Sequence, residues 1–482
     1  MENLLFNLLQ FRVKSEPYAI AIKAYGRDIS FRQLLILVKK IAHLLRRAGI
    51  QPGQRVITSI ANRQVEWLIT LALLHEATIS CSNHGYAPID EALDFSWHIT
   101  DDPQAQASPE IIKLDAAWLD AATKESADIE VRLYEPNSVL RLVLTSGTEG
   151  KSKAVGLTYS MMEGRYSLRC IMLKLGQELS MFPMSTIGGS DSAYHTLFSG
   201  NPFICWKDYS HIVELINSRG IGFLSASPAQ IMGLINFIRD KKIDLQKLEY
   251  VLTGGAVSSP SLLAMIREFL ANHFINYYGS TEAGGCALFI PSQKNMDFIP
   301  PGYSFPQVSI EIVNELSESL PHGAEGSVRI KTPFMAREYV NNPEASALVF
   351  RGGWFYPGDR GHLNSEGLLT LTGRDSELIN RGGTKFDPVP IELFLIDFDG
   401  VKDAAVFSVE NQPGSDEVAT ALVVDEDFDL KTLKQALIDR FGAIKAPSVF
   451  FRVNHILRNS MGKTLRSQMS AHLANVIAKK LD

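Results

Sequence analysis

Apolar residues at Leu34, Val38, Ile41 and Leu45 recur at spacings of four, three and four, which predicts an amphipathic helix stopping near Gly49. Arg55–Ile60 reads as a buried strand and Val65–Leu74 as a second helix, and this alternation predicts α/β layering. Residues 83–137 are polar, contain proline and show little periodicity, so loops and edge elements are expected there. From Leu140 the alternation resumes with a strand, a glycine- and hydroxyl-rich loop and a helix from about Ser160. A strand near Pro202–Trp206, a helix near His211–Arg219, a strand at Leu248–Leu252 and a helix at Ser261–Leu270 follow.

Beyond Pro300 the pattern shortens to β runs at Ser309–Val313, Ser327–Lys331 and Leu368–Leu371, punctuated by glycine and proline. After Arg374 it changes again, to β runs between 403 and 424 and helices at Lys431–Phe441 and Leu465–Lys480. The fold expected is α/β. A large N-terminal domain, residues 1–374, would hold layered α/β subdomains and a small β-barrel-like subdomain. A small α+β domain, residues 375–482, would follow it.

A chain of 482 residues, 45% hydrophobic and 21% charged, has ample material for more than one core. The net charge of −6 argues against a nucleic-acid-binding surface, which shows as a basic excess. Cys81, Cys170, Cys205 and Cys286 lie far apart with no CxxC spacing, so neither a zinc site nor a disulfide framework is indicated, and a reducing compartment fits. Met1–Phe11 has no preceding positive charge and no small-residue cleavage site, so it makes a poor signal peptide. No stretch reaches the roughly 18 uninterrupted apolar residues of a membrane span. A soluble, cytoplasmic protein without stable membrane insertion is expected.

The chemistry concentrates first in Thr145-Ser146-Gly147-Thr148-Glu149-Gly150-Lys151-Ser152-Lys153-Ala154, directly after the apolar run Val139–Leu144. Such a loop presents backbone N–H groups, hydroxyls and cationic heads to one small anion, and phosphate is the natural candidate. Five further clusters follow in order. Gly254-Gly255-Ala256 ends a strand, and Asn276-Tyr277-Tyr278-Gly279-Ser280-Thr281-Glu282 joins aromatic faces, hydroxyls and a carboxylate. Trp354–Asp359 places one acid after a turn, Gly373-Arg374 precedes Arg381–Lys385, and Arg458–Arg466 carries Lys463.

This ordered set resembles the acyl-adenylate-forming superfamily of acyl-CoA synthetases, peptide-synthetase adenylation domains and luciferases, over about residues 15–470. The resemblance implies that Thr145, Ser146, Gly147, Thr148, Gly150 and Lys153 hold the phosphates of ATP, with Thr148 and Glu282 on Mg²⁺. It places Tyr278 against the adenine, with Gly254, Gly255 and Ala256 opposite, and puts Asn276, Tyr277, Gly279 and Thr281 beside the nucleotide. Asp359 would accept from the ribose hydroxyls with Arg374 nearby, and Lys463 would reach the α-phosphate and the substrate carboxylate. Lys463, Glu282 and Thr148 are thus the candidate catalytic groups. Thr186, Ser225, Gly254, Gly279, Ala283 and Gly284 would line the acid, with small side chains leaving room for a bulky or ring-bearing acyl group. ATP, Mg²⁺ and coenzyme A, or the phosphopantetheine of an acyl carrier protein, are the implied cofactors and acceptors, and a small carboxylic acid the substrate.

The chain departs from the family pattern at several places. Glu149, Ser152 and Ala154 stand where threonine, proline and glycine are usual, Pro357 replaces a threonine, and Leu457 a proline. Ser376 stands at the usual hinge acid or lysine, between Asp375 and Glu377. Thr186 occupies the place of a histidine common in acyl-CoA synthetases, and the nearest acid, Asp191, does not align with the aspartate of amino-acid-activating relatives. A P-loop NTPase is the competing class, since Gly-Lys-Ser and Gly-Lys-Thr occur at 150–152 and 462–464. The Walker pattern requires a glycine five residues earlier, where Thr145 and Leu457 stand, so both matches fail. A catalytically silent nucleotide-binding relative is the third reading, kept open by Glu149.

Overall fold

The structure is a computed structural model that describes residues 2–475 apart from 25, 84–88, 106–108, 146–152, 173–175, 219, 292–295, 297, 413–414 and 460–461. The helix expected from Leu34 to Leu45 spans Phe31–Ala48. Ser30 and Gln33 close a reciprocal capping box at its start, and Gly49, at φ 106°, ends it in a left-handed conformation that a side chain would strain. Its apolar face (Leu34, Val38, Ile41, Leu45) is fully packed, as the periodicity requires.

Two six-stranded sheets share one design, a parallel centre with antiparallel strands at one edge. The first runs in the order Glu110–Lys113, Trp97–Thr100, Arg55–Ser59, Ile79–Ser82, Val139–Thr145, Lys153–Thr158, and only the last pair is antiparallel. In the second, Glu178–Ser180, Phe223–Ala226, Leu248–Gly254 and Ala271–Ser280 are parallel, and Gly284–Phe289 and Tyr303–Ser304 add antiparallel edge strands. Ligand sites in open parallel sheets form beyond the carboxyl ends of strands. Here those ends deliver Thr145, Gly254 and Ser280, each from one of the predicted clusters.

The segment 83–137 is more regular than its composition implied. Trp97–Thr100 is an interior strand of the first sheet, Glu110–Lys113 its edge, and Ala116–Lys124 a helix. Strands of four residues are too short to show a period, and flanking proline and polar residues hid them. The strand Lys153–Thr158 was also hidden, because its first residue belongs to the phosphate-loop motif.

Beyond Pro300, Ser309–Val313 and Gly326–Lys331 pair antiparallel and continue into a six-stranded sheet ending in Asp359–Leu363 and Leu369–Arg374. The last residues form a hairpin (Ile379–Arg381, Thr384–Phe386), a three-stranded sheet and the helices Val389–Ile396, Leu430–Lys445 and Arg466–Asn475. Gly442 kinks the second of these. Two apolar cores in this region draw only on residues 379–473. Among the described residues no helix is long and apolar enough to cross a membrane.

Candidate active site

The long strand Ala271–Ser280 turns successive side chains to opposite faces, so Tyr277 and Tyr278 serve different places. On one face the Tyr278 hydroxyl donates to Asp359 Oδ2 at 2.6 Å. Arg374 lies directly across the strand pair from Asp359, and its Nε donates to Oδ1 at 2.7 Å. Asp359 is buried, and each oxygen keeps a further lone pair for a donor. Burial and the neighbouring Asp359 push the Tyr278 phenol well above its ordinary range. Asp359, acting against desolvation, also makes the Arg374 guanidinium harder to deprotonate.

Arg374 reaches on toward Glu377, with Nη1 at 4.0 Å from Oε1. That same Glu377 oxygen receives the Lys463 ammonium, while Oε2 receives Arg466. Burial alone would raise the Glu377 carboxyl, but Lys463 and Arg466 hold it below the usual carboxylate range. Burial, with the nearby Arg374 cation, lowers the Lys463 ammonium, and Glu377 opposes that fall. The loop bearing Lys463 rests on the large body: a Cβ on Gly462 would stand 2.7 Å from Ala229 Cβ and 3.3 Å from Ser227 Oγ. The Ser261 hydroxyl donates to Asp397 at a second point of contact.

Glu282 is buried at the turn that leaves the strand, and its Oε1 accepts from the Tyr339 hydroxyl at 2.6 Å. Lys153 Nζ stands 5.2 Å from the centre of the Tyr339 ring, a cation–π distance, so Tyr339 joins the edge of the phosphate-loop hairpin to Glu282. Burial and the Glu282 charge push the Tyr339 phenol up. The turn is fixed from below by Arg165, which donates to the carbonyls of Phe334, Thr281 and Glu282. Close packing explains the glycines here. A Cβ on Gly279 would meet the Gly284 carbonyl at 2.5 Å, and one on Gly284 would meet Arg165 Nε at 2.9 Å.

The other expected residues divide. Thr145 Oγ1 donates to Lys153 O at 3.3 Å and closes the base of its hairpin. Ser146, Gly147, Thr148, Gly150 and Glu149 lie outside the described residues. Gly254 ends its strand against the Tyr277 carbonyl, and Gly255 and Ala256 follow at its open end. The Asn276 amide donates to Pro300 O at 2.9 Å, so its side chain braces the sheet. Tyr277, expected beside the nucleotide, instead packs against Phe305 on the face away from Asp359. Thr186, expected on the acid, caps the helix Ile187–Ser199: it donates to Pro183 O at 2.7 Å and accepts from Gly189 N at 3.2 Å. Ser225 donates to Glu178 at 2.5 Å. Ala283 does border a cavity, together with Gly285, Tyr277, Phe305, Arg169 and Asp191. Arg165, Tyr339 and Glu377 were missed, because their positions lie outside every motif or, for Glu377, beside one.

Two parallel-centred sheets, Tyr278 and Arg374 bonded to one buried Asp359, and Lys463 of the C-terminal region linked to that arginine through Glu377 form the arrangement of an adenylate-forming enzyme. Residues 9–340 match the family described as AMP-binding enzyme, and the chain belongs to that family. It is 25% identical to a feruloyl-CoA synthase of an Amycolatopsis species, over 95% of this chain and 96% of the relative. It is 24% identical to a 4-chlorobenzoate–CoA ligase of an Arthrobacter species, over 98% and 96%. The o-succinylbenzoate coenzyme A synthetase of Bacillus subtilis, solved with AMP, shares the fold at a TM-score of 0.85 and 22% identity, covering 96% of this chain and 98% of that one.

Proposed function

We propose that the chain joins a carboxylic acid to the thiol of coenzyme A in two half-reactions driven by one ATP. In the first, a carboxylate oxygen of the acid attacks the α-phosphorus of MgATP. A P–O bond forms, the bond to pyrophosphate breaks, and acyl-AMP stays bound. In the second, the coenzyme A sulfur attacks the acyl carbon and AMP departs with the bonding pair. The observation that carries this reading is Asp359, bracketed by Tyr278 and Arg374, with Lys463 linked to the same arginine through Glu377.

Each group has a task set by its chemistry. Asp359 has lone pairs left for two ribose hydroxyls, and Tyr278 offers a ring face to the base beside Gly254-Gly255-Ala256. Among the described residues one Glu282 oxygen has no partner, and a carboxylate with a threonine hydroxyl such as Thr148 is a donor set suited to the Mg²⁺ of the nucleotide. Negative charge builds on the phosphate oxygens as the carboxylate attacks, and Lys463 and the Thr145–Lys153 loop supply positive charge and N–H donors there. Residues 375–482 act as a lid turning near Ser376. Its rotation would withdraw Lys463 and bring Gly382-Gly383 toward the incoming thiol.

Exchange of labelled pyrophosphate into ATP, dependent on added carboxylate, tests the first half-reaction. AMP release dependent on free coenzyme A tests the second. Exchange without AMP release by coenzyme A, but with release by a phosphopantetheinylated carrier protein, would reassign the acceptor. No exchange with any acid would sink the reading.

A further inference from the structure

Residues 336–342 cross from the Glu282 turn to the strand Lys153–Thr158, and both ends of the crossing are bonded. Ala336 N donates to the Glu282 carbonyl at 2.7 Å, and Val340 N donates to Ala154 O at 2.8 Å. Between them Tyr339 bridges antiparallel to Val155. Its N–H donates to Ser346 Oγ at 2.8 Å, and its ring packs on Phe350 with 5.4 Å between ring centres. Tyr339 is therefore buried and held on three sides, so its side chain has one direction open to it.

That direction brings it to two groups of opposite charge. The hydroxyl donates to Glu282 Oε1, and the ring lies at cation–π distance from Lys153 Nζ. An ammonium and a carboxylate gathered at one buried ring would gain by pairing directly, because their attraction strengthens as water is excluded. No ion pair between Lys153 and Glu282 occurs among the described residues, and each is engaged by the tyrosine instead.

The backbone at Glu282 is fixed independently, by Arg165 on the carbonyls of Thr281 and Glu282 and by Ala336 N. What remains to be set is the direction of the carboxylate. A phenol has one proton to give, and giving it to Oε1 leaves Oε2 to face outward as an acceptor for a hard cation.

We infer that Tyr339 is a positioning residue of the nucleotide site: its hydroxyl occupies Glu282 Oε1, which keeps Lys153 off that carboxylate and leaves Oε2 for Mg²⁺. The inference rests on the ligase reading above and assigns a task to a residue outside the motifs that carry the resemblance. Tyr339 acts through Glu282 and takes no part in bond making.

The test is calorimetric titration of the full-length chain with MgATP and, separately, with AMP in EDTA. Tyr339→Phe keeps the ring, with its Lys153 and Phe350 contacts, and deletes only the hydroxyl. Loss of a hydrogen bond to a charged group should weaken MgATP binding about tenfold. AMP brings no β- and γ-phosphates for a cation to bridge, and its affinity should stay within about twofold of the parent's. In a Glu282→Gln background the same substitution should weaken MgATP by less than about twofold, because the carboxylate it steers is gone. Unchanged MgATP binding in Tyr339→Phe, or full additivity with Glu282→Gln, overturns the inference while the ligase reading stands. Equal losses for MgATP and AMP make Tyr339 a strut of the fold and overturn it as well. A parent chain that binds neither nucleotide takes down the ligase reading, and this inference with it.

Discussion

Glu377 and Lys463, 86 positions apart in sequence, form an ion pair within contact distance of Arg374, so the lysine proposed for adenylation is held beside the nucleotide cradle by the acid next to Ser376. Lys463 is 30% and Glu377 14% exposed, so solvent screens their attraction less than in a surface bridge, while burial itself disfavours both charges.

Replacing Lys463 by alanine should lower acid-dependent pyrophosphate exchange by about 10²–10³-fold, the range for removing one electrostatic donor aimed at the transition state. Thiolation of preformed acyl-AMP should be largely retained. Equal losses in the two assays would remove Lys463 from the first half-reaction.

Glu377→Gln keeps the size of the side chain and deletes its charge. Because Glu377 is the group that opposes the lowering of Lys463 by burial and Arg374, the variant lysine should lose its proton at lower pH. The alkaline limb of the exchange rate should therefore move to lower pH. An unmoved limb in a variant that exchanges pyrophosphate would show that the pair does not govern Lys463.

Asp359→Asn removes a charge that Arg374 and Tyr278 both engage. The ATP KM should rise about 10- to 100-fold, and stability should fall by about 1–3 kcal/mol as Arg374 loses its buried counterion. Titrating ATP in the exchange assay and following thermal unfolding separate the two effects.

Glu392 sits inside the C-terminal core, accepting from Val406 N and from Arg466, and burial pushes its carboxyl up to about 7. A carboxyl raised in the folded state stabilises the fold below its unfolded value, near 4.5, and that contribution is lost as pH rises through about 7. Glu392→Gln should flatten the pH dependence of unfolding between these values. Melting curves of the variant that fall with pH as steeply as those of the parent would contradict this.

How much could be read beforehand follows from the range of the interactions involved. The helix Phe31–Ala48 repeats its apolar stripe over four turns, and the short β runs after Pro300 are bounded by glycine and proline, so both were legible locally. Asp359, Arg374 and Tyr278 sit in motifs with distinctive neighbours. Arg165, Tyr339 and Glu377 do not, because what they do depends on partners 57 to 186 residues distant along the chain. Thr186, just before the helix Ile187–Ser199, takes up one of the orphan N–H groups at its start, a task its position alone makes legible. Tyr277, which the resemblance puts beside the nucleotide, follows Asn276 and precedes Tyr278 on one strand, and strand geometry turns adjacent side chains to opposite faces.

Gly462 meets Ala229 with no space for a methyl group between them. On the proposed lid motion that seat works as a doorstop in reverse: the missing side chain lets the lid come fully home. A mere alanine there would prop the cap ajar without disturbing any charge, leaving a protein able to discharge an activated acid yet poor at making one. If the lid turns as proposed, the direction of the reaction hangs partly on a void the size of one carbon atom.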